Sequence, residues 1–320
     1  MLDVRATIAT VALAVVLAGC DTVEERADAP RADANAAAGP SALGVSEDVG
    51  LNYGSIGNAG VLFSRLDQEL KNWSAAQARL DAAGEIAAKR SLDALARGNF
   101  TMLGDALVGK DPHQRAIAAM ALGFSGEARA VPPLEAALGD ERAAVRANAA
   151  AGLGLLGIAG SGVQSLAARL EGDPDPAVRS AAGYALSLVL RPGEDHGATG
   201  ALIKGTADPV PSVRAHAALA LGMVKSRFAV PTLSSRCLLD AHPLVRYNAA
   251  LALGHIKDPR ASAALAETLA RDADPGPRAA AAWALEAITG QKLGEDPVAW
   301  RAWIDAHLGD LQASPDPTGR

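Results

Sequence analysis

The chain has 320 residues, 49% of them hydrophobic but only 3% aromatic, a balance that suits closely packed, small-faced helices and excludes a large core built on Phe and Trp. A formal net charge of -6 and a pI near 5.6 argue against a general nucleic-acid scaffold. Phosphate binding draws most of its affinity from clustered Lys and Arg, and the arginines here are periodic.

Residues 1–20 read as a targeting segment, with Arg5 in a short n-region, an apolar run from Ala6 to Leu17, and then Leu17-Ala18-Gly19-Cys20. About a dozen apolar residues are too few for a bilayer core, which needs roughly 20. The ending resembles a bacterial lipobox, which implies cleavage before Cys20 and acylation of that cysteine. Asp21, in the second mature position, implies by resemblance to enterobacterial lipoproteins a place in the cell envelope on the periplasmic face of the inner membrane. Residues 21–58 are rich in Ala, Asp, Gly and Pro and carry no sustained apolar periodicity before Val61-Leu62-Phe63. They read as a flexible tether or as a leader without a role.

Across 59–98 two helices are expected, from about Gly60 to Lys71 and from about Ser74 to Arg97, the second opening on Ser74 as N-cap. They lack the signature that follows, and end units of stacked arrays are atypical because one face has no neighbour. They read as an N-terminal cap into which Trp73 packs.

Residues 99–289 repeat. Arg115, Arg146, Arg179, Arg214, Arg246 and Arg278 are each followed eight residues later by the end of an Ala-Leu-Gly-like triplet: Gly123, Gly154, Ser187, Gly222, Gly254 and Glu286. Spacings of 31 to 35 residues mean a helical solenoid, whose units bury their apolar faces only by stacking. Each unit reads as a short first helix with a leucine stripe, such as Val131 to Leu138 or Val230 to Leu239, then a turn and a second helix. Asp-Pro at Asp111, Asp173, Asp208 and Asp274 is expected to cap the second helix and fill its first turn, with glycine ending it.

The core pattern V-R-x-x-A-A-x-A-L-G resembles HEAT repeats, of the short bacterial kind related to bilin-lyase HEAT-like repeats, over about 190 of the 320 residues. The resemblance implies an all-α, right-handed α-α superhelix of about six repeats. It also implies a ladder in which the second-helix Arg and the turn Asp pair between neighbouring repeats. Asp140 and Arg146, Asp173 and Arg179, Asp208 and Arg214, Asp240 and Arg246, and Asp272 and Arg278 keep a constant six-residue offset. Arg115 has Gly109 there, so the first repeat is expected to be less tightly fixed and more tolerant of losing its arginine, unless Asp111 substitutes at shorter range. An anion-binding row is the alternative reading of these arginines.

No metal, cofactor or catalytic role is expected. His113, His196, His216, His242, His255 and His307 form neither H-E-x-x-H nor H-x-H and read as solvated turn or helix-surface residues. Gly152-Leu153-Gly154-Leu155-Leu156-Gly157 outlines a phosphate loop but sits at a helix end with no strand before it. With Cys20 acylated, Cys237 is the other cysteine, in an apolar stretch that suits a buried, inert thiol. Bilin-lyase-like enzyme chemistry, directly or as an accessory subunit, is the alternative function the resemblance raises; no acid, base or pigment site is identifiable.

Residues 290–309 carry Trp300 and Trp303 on one face of a short amphipathic helix, either a C-terminal cap over the last repeat or a docking helix. Residues 310–320 read as a disordered tail. In the family the second helices line a concave surface. Six residues after the one preceding each Arg stand Met120, Ala151, Tyr184, Leu219, Leu251 and Trp283, and Tyr247 joins them four residues earlier in its repeat. This stripe is either an exposed partner site or filling between helices. The function expected is non-catalytic: a lipid-anchored scaffold or adaptor that binds a protein or peptide partner and no nucleic acid.

Overall fold

The computed structural model describes residues 58–312. Cys20, the tether and the tail from Ala313 lie outside the described residues. The described part holds fifteen α-helices and no strand. After α1 (Ala59–Ala78) and α2 (Ala82–Gly98) come six helix pairs: α3 (Phe100–Leu107) with α4 (Pro112–Phe124), α5 (Val131–Ala137) with α6 (Ala143–Leu156), α7 (Val163–Gly172) with α8 (Pro176–Val189), α9 (Thr199–Gly205) with α10 (Pro211–Val224), α11 (Val230–Ser235) with α12 (Pro243–Ile256), and α13 (Ser262–Arg271) with α14 (Pro275–Thr289). Helix α15 (Pro297–Gln312) follows. The fold is an all-helical repeat solenoid.

Each first helix packs on its own second helix, and the second helices pack directly on one another in chain order. One continuous apolar core therefore runs from Leu62 to Ile304. The triplet glycines make the stacking possible. Instead of ending their helices as expected, Gly123, Gly154, Gly222 and Gly254 lie inside them, where a Cβ on Gly222 would stand 2.6 Å from Ala252 Cα and one on Gly123 2.6 Å from Gly152 Cα. The helices end elsewhere, α6 at Gly157 and α14 at Gly290, both with positive φ, and α10 and α12 at Lys225 and Lys257, also left-handed.

Other expectations change with the same packing. Helix α1 runs through Trp73 and Ser74 without a break, because Trp73 is a buried helix-interior residue set edge-on against Phe124, ring centroids 5.0 Å apart. The turn falls at Arg79–Asp81, and Asp81, in place of Ser74, caps α2 by accepting the Gly84 amide at 3.0 Å. In the fifth unit the first helix stops at Ser235 and a separate 3-10 turn covers Cys237–Leu239. The 35-residue step between Arg179 and Arg214 is taken up by the loop after α8, where Arg191 donates to the carbonyls of Leu188, Leu190 and Gly157 at 2.7 to 3.0 Å.

Of the expected Asp-Pro caps, only Asp111 behaves so throughout, accepting the His113 and Gln114 amides at 2.9 and 3.4 Å. Helices α8 and α10 begin two residues later than expected, at Pro176 and Pro211. Asp173 and Asp208 instead accept the amides two residues on, Asp175 and Val210, at 3.0 and 2.9 Å. Asp274 precedes α14 without a capping bond and instead accepts from Arg246 at 2.7 Å.

Candidate functional site

The turn aspartates each serve two repeats. Arg146 places Nε and Nη2 on the Asp173 carboxylate of the next repeat at 2.8 and 2.9 Å, while Nη1 donates to the Asp140 and Glu141 carbonyls of its own turn at 2.9 and 3.2 Å. The same two-sided grip joins Arg115 to Asp140, Arg179 to Asp208, Arg214 to Asp240 and Arg246 to Asp272, with Nε to oxygen distances of 2.6 to 2.8 Å. Bidentate charge-assisted pairs of this kind combine strength with fixed geometry. Burial would raise the Asp173 carboxyl, but the Arg146 fork and the Asp175 amide overcome it and hold it below the ordinary range.

This geometry overturns the expectation for Arg115. The residue six before each arginine grips it through a backbone carbonyl, which Gly109 supplies at 3.1 Å as well as any aspartate would. Carboxylate pairing runs forward, so Arg115 has Asp140 and the arginine left without a carboxylate is Arg278, whose Nη1 bonds only the Asp272 and Ala273 carbonyls at 2.9 and 3.0 Å.

A second row of side chains crosses the same seams. Two residues after its ladder arginine, Asn148 donates to the Ala116 carbonyl and Asn248 to the Ala215 carbonyl, both at 2.9 Å. His216 takes the equivalent position, with Nδ1 3.0 Å from the Ser180 carbonyl oxygen. It is a buried histidine and not the solvated one expected, because it stands where the preceding second helix closes over it. The sequence signal was an Arg-x-Asn or Arg-x-His triplet in phase with the repeat.

Burial pulls the His216 ring down to about 4, against the Ser180 hydrogen bond that raises it. Unfolded, the ring titrates near 6.5, so between the two values the unfolded chain binds a proton that the folded chain refuses. Stability from this group is complete above pH 6.5, declines as pH falls toward 4, and is then lost, by roughly 3 kcal/mol. His216→Asn, which copies the neighbouring repeats, is expected to fold and to flatten that slope; urea titrations at pH 7, 5.5 and 4.5 measure it.

The expected partner stripe is mostly interior. Met120 is 0% exposed, Leu219 2%, Tyr184 3% and Leu251 4%, because second helices that touch at glycine leave no opening for a side chain of that size between them. Burial, with the Glu85 charge, pushes the Tyr184 hydroxyl up to about 12. Only the last seam reaches the surface: Trp283 is 37% exposed, its ring lies 5.2 Å from that of His255, and Tyr247 is half-buried beside Gly276.

Cys237 is buried, and burial pushes its thiol up to about 11, leaving little thiolate at neutral pH. Among the described residues no three His, Cys, Asp or Glu side chains converge as a metal site requires, and no described helix is long and apolar enough to cross a membrane. Helix α15 lies along α13 and the turn before it, with Trp300 fully buried, its indole N–H donating to the Gly294 carbonyl at 2.8 Å, and Arg301 paired with Glu267 at 3.0 Å. It covers the flank of the last first helix, while Ala279 and Trp283 on α14 stay exposed.

Comparison with known proteins agrees with this architecture. The family model for HEAT repeats matches residues 100–187 and 199–286, the gap falling on the loop after α8. No curated protein matches the chain in sequence. Among solved structures, an engineered protein is 22% identical with a TM-score of 0.48 over 62% of this chain and 97% of its own. A designed armadillo repeat protein is 19% identical with a TM-score of 0.44 over 59% and 99%. The complex of CpcE and CpcF of phycocyanin lyase from Nostoc sp. PCC7120 is 21% identical with a TM-score of 0.42 over 82% and 99%. With the family model spanning more than half of its length, and with stacked helix pairs tied by one forward-running ladder, the chain belongs to the HEAT-repeat family.

Proposed function

We propose that the protein is a cell-envelope scaffold, anchored through an acylated Cys20 on the periplasmic face of the inner membrane, that binds a protein or peptide partner and does no chemistry of its own. The observation that carries the binding reading is the last seam. Aromatic side chains elsewhere along the second helices are sealed in, whereas Trp283 presents over a third of its surface to solvent beside Tyr247 and His255. Large, stiff aromatics at a rim of this kind are what binding surfaces favour, because they bury much area at small entropic cost. The lipobox-like Leu17-Ala18-Gly19-Cys20 supports the anchor.

In-cell cross-linking of the intact protein tests both parts. Trp283→Ala is expected to cut recovery of the attached partner at least about tenfold, the loss typical of a central aromatic contact, while the unfolding midpoint stays near that of the parent. Unchanged recovery would remove the seam as the site. Cys20→Ser should abolish incorporation of labelled fatty acid; continued labelling would remove the anchor.

A further inference from the structure

Arg278 is the open end of the ladder. Its Nη1 makes the same two carbonyl bonds, to residues six and five before it, that orient the other five arginines. A guanidinium is planar, so fixing Nη1 directs the Nε and Nη2 edge outward, toward the place that the next repeat's aspartate would take. Among the described residues no ion pair includes Arg278, which is half-buried, and α15 packs on α13 and the turn before it. Beside the open fork, the small residue Ala279 is exposed on the first turns of α14, whereas Ala282 one turn on is buried.

We propose that this edge of Arg278 is a carboxylate-binding site for another protein, and that it takes the aspartate of an Asp-x-x-Pro turn at the start of a helix. The ladder itself defines the ligand. Four of the five carboxylates that occupy the equivalent forks, Asp173, Asp208, Asp240 and Asp272, begin an Asp-x-x-Pro turn, and each spends a second interaction on the amide two residues on at 2.9 to 3.0 Å. The turn is thereby fixed before the arginine meets it.

The source is narrowed by the sequence. A second copy of this chain, stacked end to end, would offer Gly109 at the ligand position, behind a pair of helices already packed on α4. Within this chain every Asp-x-x-Pro lies in the array's own turns, at Asp173, Asp208, Asp240, Asp272 and Asp274. Length is limited as well. Glu286 stands where Gly123, Gly154, Gly222 and Gly254 admit the next backbone, so the visitor meets the first turns of α14 and does not continue as a full seventh repeat. The site stands on the ladder geometry and is independent of the Trp283 seam.

The test uses the full chain and a labelled peptide copied from residues 238–250, which carries Asp240-Ala-His-Pro and the start of its helix. Fluorescence anisotropy is expected to show saturable binding that weakens about tenfold with an Asp240→Asn peptide and about tenfold with Arg278→Gln protein, the scale of a lost charge-assisted pair. Combining the two changes should add no further loss. Arg278→Lys, which keeps charge without the fork, should fall between, and it serves as the readout if the glutamine variant unfolds. No saturable binding by the parent protein, or equal binding of the two peptides, would overturn the proposal.

Discussion

Arg146→Ala is expected to destabilise the fold by roughly 3 to 5 kcal/mol, the cost of stranding one member of a buried ion pair. Its partner Asp173 has no side-chain exposure, so the carboxylate left behind cannot be rehydrated where it stands. It would keep only the Asp175 amide and a longer contact with Arg169 at 3.5 Å. Arg278→Ala, by contrast, removes two carbonyl hydrogen bonds and strands no charge, a change expected to cost about 1 kcal/mol. Arg115→Ala should resemble Arg146→Ala, since Asp140 depends on it in the same way. Urea midpoints of the three variants rank them; a mild Arg115→Ala beside a severe Arg278→Ala would show that the pairing does not run forward.

Gly222→Val is the second large effect. The added Cβ would lie 2.6 Å from Ala252 Cα and 2.9 Å from its Cβ, distances no rotamer relieves because one of the atoms is backbone. The two second helices must separate, and every rung between them lengthens. A cost of 3 kcal/mol or more, at the upper end of about 1 to 3 for ordinary overpacking, is expected. Gly104 in α3 gives the contrast, having nothing within 4 Å of its Cβ position. There Gly104→Ala should stabilise by up to about 1 kcal/mol through helix propensity alone. Thermal unfolding of both variants decides whether the repeat glycines are contact residues or merely tolerated ones.

Much of this was legible in the residues. The arginine period and its triplets gave six helix pairs with the second helices in the right places, because a periodic apolar face has one way to be buried when its neighbours are copies of itself. The direction of the ladder was not legible. Asp173 stands six residues before Arg179 and 27 after Arg146, and the constant offset within a turn drew the eye to the nearer arginine, which uses the aspartate's carbonyl, while the farther one takes its carboxylate. A one-dimensional spacing cannot distinguish main-chain from side-chain contact. The partner stripe failed for a related reason. A helical wheel places Met120, Tyr184, Leu219 and Leu251 away from the core, but whether that face is open depends on how closely adjacent helices approach. That distance is set by the glycines on the contact side.

By itself the sequence determined that the chain is a helical repeat array and which residues recur in its turns, since these follow from local periodicity and from the short-range preferences of Pro and Asp. Tertiary structure decided the rest: that the forks reach forward, that Asn148, His216 and Asn248 bridge the seams, that the inner stripe is sealed until Trp283, and that Arg278 is left open. Each of these depends on the spacing between second helices some thirty residues apart in the chain, and backbone approach at a glycine is a property of two helices together.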